Sequence, residues 1–534
     1  MKFNYKSIAS LSFAATLFVA CGSTANILST PIENIDTSPL KVTELTEAEK
    51  NNWGHLDLEK DTIPGMAVDR AYSELIKNKK GSKVIVAVID SGIDIDHEDL
   101  DDVIWTNKDE IPNNGKDDDN NGYVDDIHGW NFLGDAYDEQ LEYVRILSSG
   151  DTSNPRYAEA QSTYDSEYQL WTGRKTQYDQ IAQVIKNADE TLAGHLGKKD
   201  YTIKEVNAIK TEDQTLLQAV QIAQQVNANG STLAEATKEI NGIVVQINER
   251  LNFNLNKNFS GRKTGDDINN LSDIGYGNGN VKPVKKDESH GTHVAGIIAA
   301  ERNNGKGANG VANNVEIMAI RTVPNGDEYD KDVALAIRYA VDNGAKVING
   351  SFGKSFSPHA NWVRDAIKYA SDNDVIFVHA AGNDSKNVDT EPNFPDDNVN
   401  YVEVSDTYIR VGSLTSKYGS KMVSSFSNYG NKNVDVFAPG SEIYSTVPEN
   451  EYEPISGTSM AAPGVAGIAA LIRSQYPNLT AAQVKQVILD SGLPLTTKVV
   501  VGGDASNVKP FSELSKSGKI ANAYNALIMA SKLK

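Results

Sequence analysis

Three short segments of the chain each set one reactive side chain among glycine and other small residues. They are Asp90-Ser-Gly-Ile-Asp94, His290-Gly-Thr-His-Val-Ala-Gly296 and Gly457-Thr-Ser-Met-Ala-Ala-Pro463. Together they supply a carboxylate, an imidazole and a hydroxyl. A serine hydroxyl is a weak nucleophile and needs a base to take its proton. An imidazole base needs a carboxylate to fix its tautomer and stabilise its cation. Asp90, His290 and Ser459 are therefore candidates for the orienting carboxylate, the general base and the nucleophile of an acyl transfer. The tetrahedral oxyanion of that chemistry also needs a donor. Asn383, which closes Ala380-Ala-Gly-Asn383, offers one. Glycine lets a substrate backbone approach closely. Apolar runs follow both His290 and Ser459, which puts each near a helix N-terminus, where free N–H groups favour developing negative charge.

These side chains have to be held by regular elements. Val84 to Ile89 is a continuous, mostly β-branched apolar run ending at Asp90, the pattern of a strand buried on both faces. Similar runs recur at Val315 to Ile320, Ala345 to Ile348, Val375 to Val378 and Ile409 to Gly412. Helical patterns at Asp330 to Asn343 and Ala360 to Asp372 lie between them, and each ends at or near Asn. Alternating strands and helices predict an α/β fold with a mainly parallel central sheet. Functional groups in such sheets gather at the C-terminal ends of strands, where Asp90 and Asn383 stand.

The motif residues resemble those of the subtilisin-like serine peptidases, the subtilase family, in type and in the order Asp, His, Asn, Ser. Val347-Ile-Asn-Gly-Ser-Phe-Gly353, Val434-Asp-Val-Phe-Ala-Pro-Gly440 and a terminal helix near Ala481 to Asp490 are similar as well. The resemblance covers about 60 to 135 and 265 to 530. It implies the subtilisin-like three-layer fold, with Asp90, His290 and Ser459 as triad. Asn383 is then the oxyanion side chain, acting with the Ser459 N–H. It further implies that a protein or peptide substrate lies extended beside Ser351, Phe352 and Gly353 and beside Ala380, Ala381 and Gly382. Triad chemistry of this kind needs no cofactor. Asp384 suggests a preference for basic residues at the primary specificity position. The rival reading is a catalytically silent binding or adhesion module on the same fold. His290 and His293 form H-x-x-H, but residue 291 is Gly where a zinc peptidase needs Glu, so a metalloprotease is rejected.

Asp90 and His290 stand 200 residues apart, and a segment of different texture fills the gap. Tyr157, Tyr164, Tyr168, Trp171, Tyr178, Ile181, Ile185, Ala188 and Leu192 follow a heptad-like spacing. Thr202-x-x-Glu205, Thr211-x-x-Gln214 and Thr232-x-x-Glu235 read as capping boxes. Residues 136–264 are therefore expected as an α-helical insertion, between peptidase parts at 61–135 and 265–534. No catalytic constellation appears inside it. Just before it, Asp117, Asp119, Asn121, Gly122 and Tyr123 begin like a calcium loop, and Asp125 follows. The twelfth-position Glu of an EF-hand is missing. Asp117, Asp119, Asn121, Tyr123 (by its carbonyl) and Asp125 are the candidate ligands of a structural calcium. A solvated acidic turn is the alternative.

The net charge of −21 over 534 residues excludes a general nucleic-acid binder. No apolar run of about 20 residues is long enough for a polytopic membrane protein. The charge is uneven, with 13 acidic and two basic residues between 94 and 126. The one cysteine, Cys21, forbids intrachain disulfides. It follows two early lysines and a short apolar stretch, and Phe18-Val-Ala-Cys21 resembles the lipobox of bacterial lipoproteins. That implies a signal peptide over 1–20, lipid on Cys21, a polar tether over 21–60, and a bacterial cell-envelope location with the membrane as a partner.

Overall fold

The computed structural model describes residues 30–33, 35–400 and 402–533. Among them, the central sheet has nine strands. In chain order these are β1 (Val84–Asp90), β2 (Gly129–Asn131), β3 (Val315–Arg321), β4 (Val347–Gly350), β5 (Ile376–Ala380), β6 (Tyr408–Leu414), β7 (Val436–Pro439), β8 (Leu493–Pro494) and β9 (Lys519–Ile520). Their order across the sheet is β8-β9-β7-β6-β5-β4-β1-β3-β2. Every neighbouring pair is parallel except β8 with β9. The run Val84 to Ile89 is apolar because both faces of β1 are covered. Val86 and Val88 face one core, Ala87 and Ile89 the other. This is the alternation that a two-residue period imposes.

Helices cover both faces, as the α/β reading expected. On one side lie α6 (His290–Ala299) and α9 (Thr458–Gln475), whose Val294, Ile298, Val465 and Ile468 pack on Val86, Val88 and Val378. On the other lie α7 (Asp330–Asp342) and α8 (Ala360–Asp372), which bring Val333, Ile337, Val363 and Ile367 to Ile89, Ile348 and Phe377. Strands β2, β7, β8 and β9 were not foreseen; at two to four residues they are too short to show a period.

Between β2 and α6 the chain forms five further helices: α1 (Glu142–Ser148), α2 (Tyr157–Leu196), α3 (Ile203–Ala208), α4 (Gln214–Ala228) and α5 (Leu233–Glu249). The 40 residues of α2 give a rod of about 60 Å. Its far half buries Ile185, Ala188 and Leu192 against Leu216, Val220 and Leu233, a core separate from that of the sheet. Its near half sets Tyr157, Tyr164 and Trp171 against Leu141, Leu147, Leu255 and Phe356. The aromatic stripe is only partly buried: Tyr168 stays 44% exposed and stacks on Tyr164. Thr202 and Thr232 form the expected capping boxes. Thr211 does not. Asp213 caps α4 instead, accepting from the N–H groups of Thr215 and Leu216.

The expected tether over 21–60 is corrected from residue 30 onward. Ile32, Trp53 and Leu58 are buried in the main core. The Ile32 backbone exchanges hydrogen bonds with the Asn525 amide (2.8 and 3.0 Å), and Trp53 Nε1 donates to the Ser441 carbonyl (3.0 Å). A polar composition hid these few anchoring side chains. The signal segment 1–20 and Cys21 lie outside the described residues. No helix among the described residues is long and apolar enough to cross a membrane.

Candidate active site

The C-terminal ends of β1, β4 and β5 and the first turns of α6 and α9 meet around a cleft of about 420 Å³. Asp90 ends β1 and is 1% exposed. Its Oδ1 accepts from the Ser91 N–H (2.7 Å) and from His290 Nδ1 (2.7 Å). His290 is the first residue of α6. Because Nδ1 donates to the carboxylate, Nε2 is left with its lone pair, the tautomer a general base requires. Burial works against the imidazolium, but the Asp90 charge and hydrogen bond outweigh it, so His290 titrates above its ordinary value. Gly291 allows this meeting. A Cβ there would come within 2.2 Å of the Gly92 carbonyl and 3.2 Å of the Asp90 Cβ.

Ser459 stands in the first turn of α9, half-buried, and its Oγ donates to the Ser351 carbonyl (3.0 Å). The Ser351 hydroxyl returns a bond to the Ser459 carbonyl (2.8 Å) and accepts from Asn349 Nδ2 (2.9 Å). The end of β4 is thus pinned to the turn that carries Ser459. Asn383 Oδ1 accepts from the Thr458 N–H (2.9 Å) and hydroxyl (3.0 Å). An N–H can only donate, so this contact fixes the amide with Nδ2 as its free donor end. Thr458 Oγ1 also accepts from the Gly382 N–H (3.0 Å). Sequence reading had passed over Thr458; its place immediately before Ser459 was the available signal.

Ser351, Phe352, Gly353, Ala380 and Gly382 line the cleft with Ser91, His290, Asn383, Thr458 and Ser459. Ala381 does not. It is fully buried, its N–H donating to the Val411 carbonyl (2.9 Å) and its carbonyl accepting from Asn428 Nδ2 (2.9 Å). Gly382 has φ +100°, and a Cβ there would lie 2.4 Å from Asn428 Nδ2. Besides His290, the charged residues of the lining are acidic, Glu328 and Asp384. Burial pushes Glu328 up to about 7, against the attraction of Lys354. Lys354 Nζ reaches Glu142 Oε2 (2.9 Å), Asp330 Oδ1 (2.9 Å) and the Glu328 carbonyl (2.7 Å). The base of the insertion therefore grips the cleft wall. His293, within α6, is buried with Nε2 on the Glu453 carbonyl (3.0 Å), and burial holds it near 4.

The expected calcium ligands divide. Asp117 accepts from the N–H groups of Asn121 and Gly122, and Asp125 from those of Asn114 and Gly115. The Tyr123 ring sits among Trp130, Phe132 and Tyr339. Of the expected set, Asp119 meets two carboxylates that sequence reading missed, Glu110 and Asp126. Their oxygens lie within 4.8 Å of one another. Glu110 is 5% exposed, and its Oε2 is buried without a partner. Asn121 Nδ2 donates to both Asp119 and Asp126 (3.1 and 3.0 Å), while its Oδ1 accepts from the Tyr123 N–H (2.8 Å). The three carboxylates offer oxygen donors of the kind a hard divalent cation takes.

A hydroxyl, an imidazole on a buried carboxylate and an oriented amide, at the strand ends of a parallel sheet, are the groups that acyl transfer requires. Residues 81–508 match the subtilase family, and the chain belongs to that family. It is 40% identical over 240 residues to the thermophilic serine proteinase of Bacillus sp. (strain AK1), covering 45% of this chain and 52% of that protein. It is 31% identical over 301 residues to the cell wall-associated protease of Bacillus subtilis (strain 168), covering 56% and 30%. It is 37% identical over 221 residues to subtilisin DY of Bacillus licheniformis, covering 41% and 76%. The matched region thus spans about half or less of the first two relatives.

The His290–Asp90 contact sets a titration. In NMR spectra of the folded protein the His290 ring should titrate above the ordinary histidine value of 6.5, and Asp90→Asn should bring it down. The stability this pair adds is fully present below the unfolded-state value and is lost as pH rises through the folded one. A His290 value at or below 6.5 in the wild type contradicts the geometry.

Proposed function

We propose that this chain is a serine endopeptidase that cleaves protein or peptide substrates through an acyl-enzyme on Ser459. The observation that carries the reading is the 2.7 Å bond from His290 Nδ1 to Asp90, in a cleft that His290, Ser459 and Asn383 share. The relatives' names, a proteinase, a protease and a subtilisin, support it. In the reaction the Ser459 hydroxyl turns from the Ser351 carbonyl to His290 Nε2 and gives up its proton as Oγ attacks the scissile carbonyl. Asp90 stabilises the imidazolium so formed. The oxyanion lies between Asn383 Nδ2 and the Ser459 N–H. Its collapse breaks the C–N bond, and His290 passes the proton to the leaving amine. Water repeats the sequence on the ester and frees Ser459. The extended substrate runs beside Ser351 to Gly353 and beside Ala380 and Gly382, with Asp384 and Glu328 favouring basic side chains.

A fluorophosphonate probe should label wild-type protein and not Ser459→Ala. Asn383→Ala should keep the label but lower turnover by roughly 100- to 1,000-fold. Folded wild-type protein that takes no label supports the silent binding module instead.

We further propose that Glu110, Asp119 and Asp126 hold a structural calcium ion. It would neutralise three converging carboxylates and brace the segment before β2. Calorimetry should show calcium binding that Glu110→Gln and Asp119→Ala each abolish; no binding, or unchanged binding in both, removes the site.

The envelope location rests on Cys21 and on the likeness to a cell wall-associated protease. With lipid on Cys21, a fully stretched chain from there to Thr30 spans at most about 30 Å. The domain would then work close against the membrane. In detergent phase partition, Cys21→Ser should move the protein to the aqueous phase; equal partition of both forms contradicts the anchor.

A further inference from the structure

Among the described residues, Arg321 is the largest side chain with no solvent exposure. It ends β3 directly across from Asp90, its register partner in β1. A guanidinium keeps its charge in every protein environment and carries five N–H donors in a rigid fork, so burial is tolerable only where those donors are used. Here each nitrogen is. Nε donates to the Ser91 carbonyl (2.9 Å) and to Glu288 Oε1 (3.1 Å). Nη1 donates to Asn131 Oδ1 (3.2 Å) and the Gly134 carbonyl (3.1 Å). Nη2 donates to the Ala136 carbonyl (2.8 Å) and to Glu288 Oε1. The second Glu288 oxygen accepts from the Val284 N–H (2.6 Å).

These acceptors come from three separate parts of the chain. Ser91 follows Asp90. Glu288 stands two residues before His290. Asn131, Gly134 and Ala136 are the passage from β2 into the insertion. The fit around the fork is close. Gly92 has φ +122°, and a Cβ there would lie 3.2 Å from Arg321 Cδ. A buried ion pair is a poor source of stability when compared with apolar residues of the same volume. Burial holds Glu288 above the ordinary carboxylate value even with Arg321 beside it. What the fork supplies is direction.

We propose that Arg321 is a positioning residue for the triad: it locks the turn after Asp90 to the segment before His290 and ties both to the start of the insertion. It touches no reacting atom. The proposal deepens the peptidase reading and rests on it for its kinetic effect alone. Lysine keeps the charge at this position but has a single nitrogen, which does not span Ser91, Gly134 and Ala136. Loosening the fork lets Asp90 and His290 drift apart, and a misplacement of about 1 Å costs on the order of 100-fold in rate.

The test uses full-length Arg321→Lys and the milder Glu288→Gln, with two readouts. The first is the His290 ring titration by NMR, which needs no activity. The second is kcat and KM on a peptide anilide, normalised to sites labelled by fluorophosphonate. In Arg321→Lys, His290 should titrate lower than in the wild type, and kcat should fall by about 10- to 100-fold with KM changed less than threefold. Glu288→Gln should move both in the same direction by less, and it carries the test if Arg321→Lys does not fold. The double variant Arg321→Met, Glu288→Met should recover thermal stability without recovering kcat. Wild-type His290 titration and kcat in folded Arg321→Lys or Glu288→Gln overturn the proposal. A wild type that takes no probe and cleaves nothing contradicts the peptidase reading instead, and the His290 titration still decides the positioning role.

Discussion

The hydrogen bond between Asp90 and His290 joins two residues separated by 200 positions, and the rest of the architecture is arranged to make it. Loop closure is less expensive than the separation suggests. Its entropy grows as the logarithm of length, so lengthening an interval from about 30 to about 200 residues adds roughly 2 kcal/mol. The sheet meets that cost by building both ends independently. Asp90 is placed by β1, which pairs along its full length with β3 and over four residues with β4. His290 is placed by α6, whose Val294 and Ile298 are buried against the same strands. Gly291 then lets the two come together without a side chain between them.

The insertion is therefore free to be large but not free to be loose. Its far half has its own core, which contains no cleft-lining residue. Its base is held by buried charges: Arg145 donates to the Asp327 and Glu328 carbonyls (2.9 and 3.0 Å), and Lys354 joins Glu142 to Asp330. Arg156 reaches the Ser355 carbonyl (2.8 Å) and lies over the Phe356 ring. Glu328 and Gly353 line the cleft, so the same contacts that seat these helices set one wall of the cleft. Charges buried in this way add little net stability, but removing one partner strands the other. The base of this helical segment and the cleft wall thus share one set of buried charges.

Much of this was legible in the sequence wherever the signal was local. The apolar run ending at Asp90 became a strand because it is buried on both faces, and the apolar spacing from Ala360 to Asp372 became a helix with those same bounds. The motif residues were visible because each sits among residues too small for ordinary packing. What stayed hidden depends on contacts between distant positions. Asp213 displaced Thr211 as a cap because the helix begins two residues later than the box implies. Glu110 meets Asp119 and Asp126 only through the folding of their loop, so spacing alone selected Asp117 and Asp125, which turned out to serve backbone N–H groups. Arg321 looks like the end of an ordinary strand until its acceptors, from Ser91 to Glu288, are brought together.

The most direct measurement is rapid-quench mass spectrometry during turnover of an activated peptide ester. Acyl transfer through Ser459 predicts a burst close to one equivalent of product, with the acyl group recovered on the peptide that contains Ser459 and absent from Ser459→Ala. Turnover with no burst and no adduct, or an adduct on another residue, would contradict it.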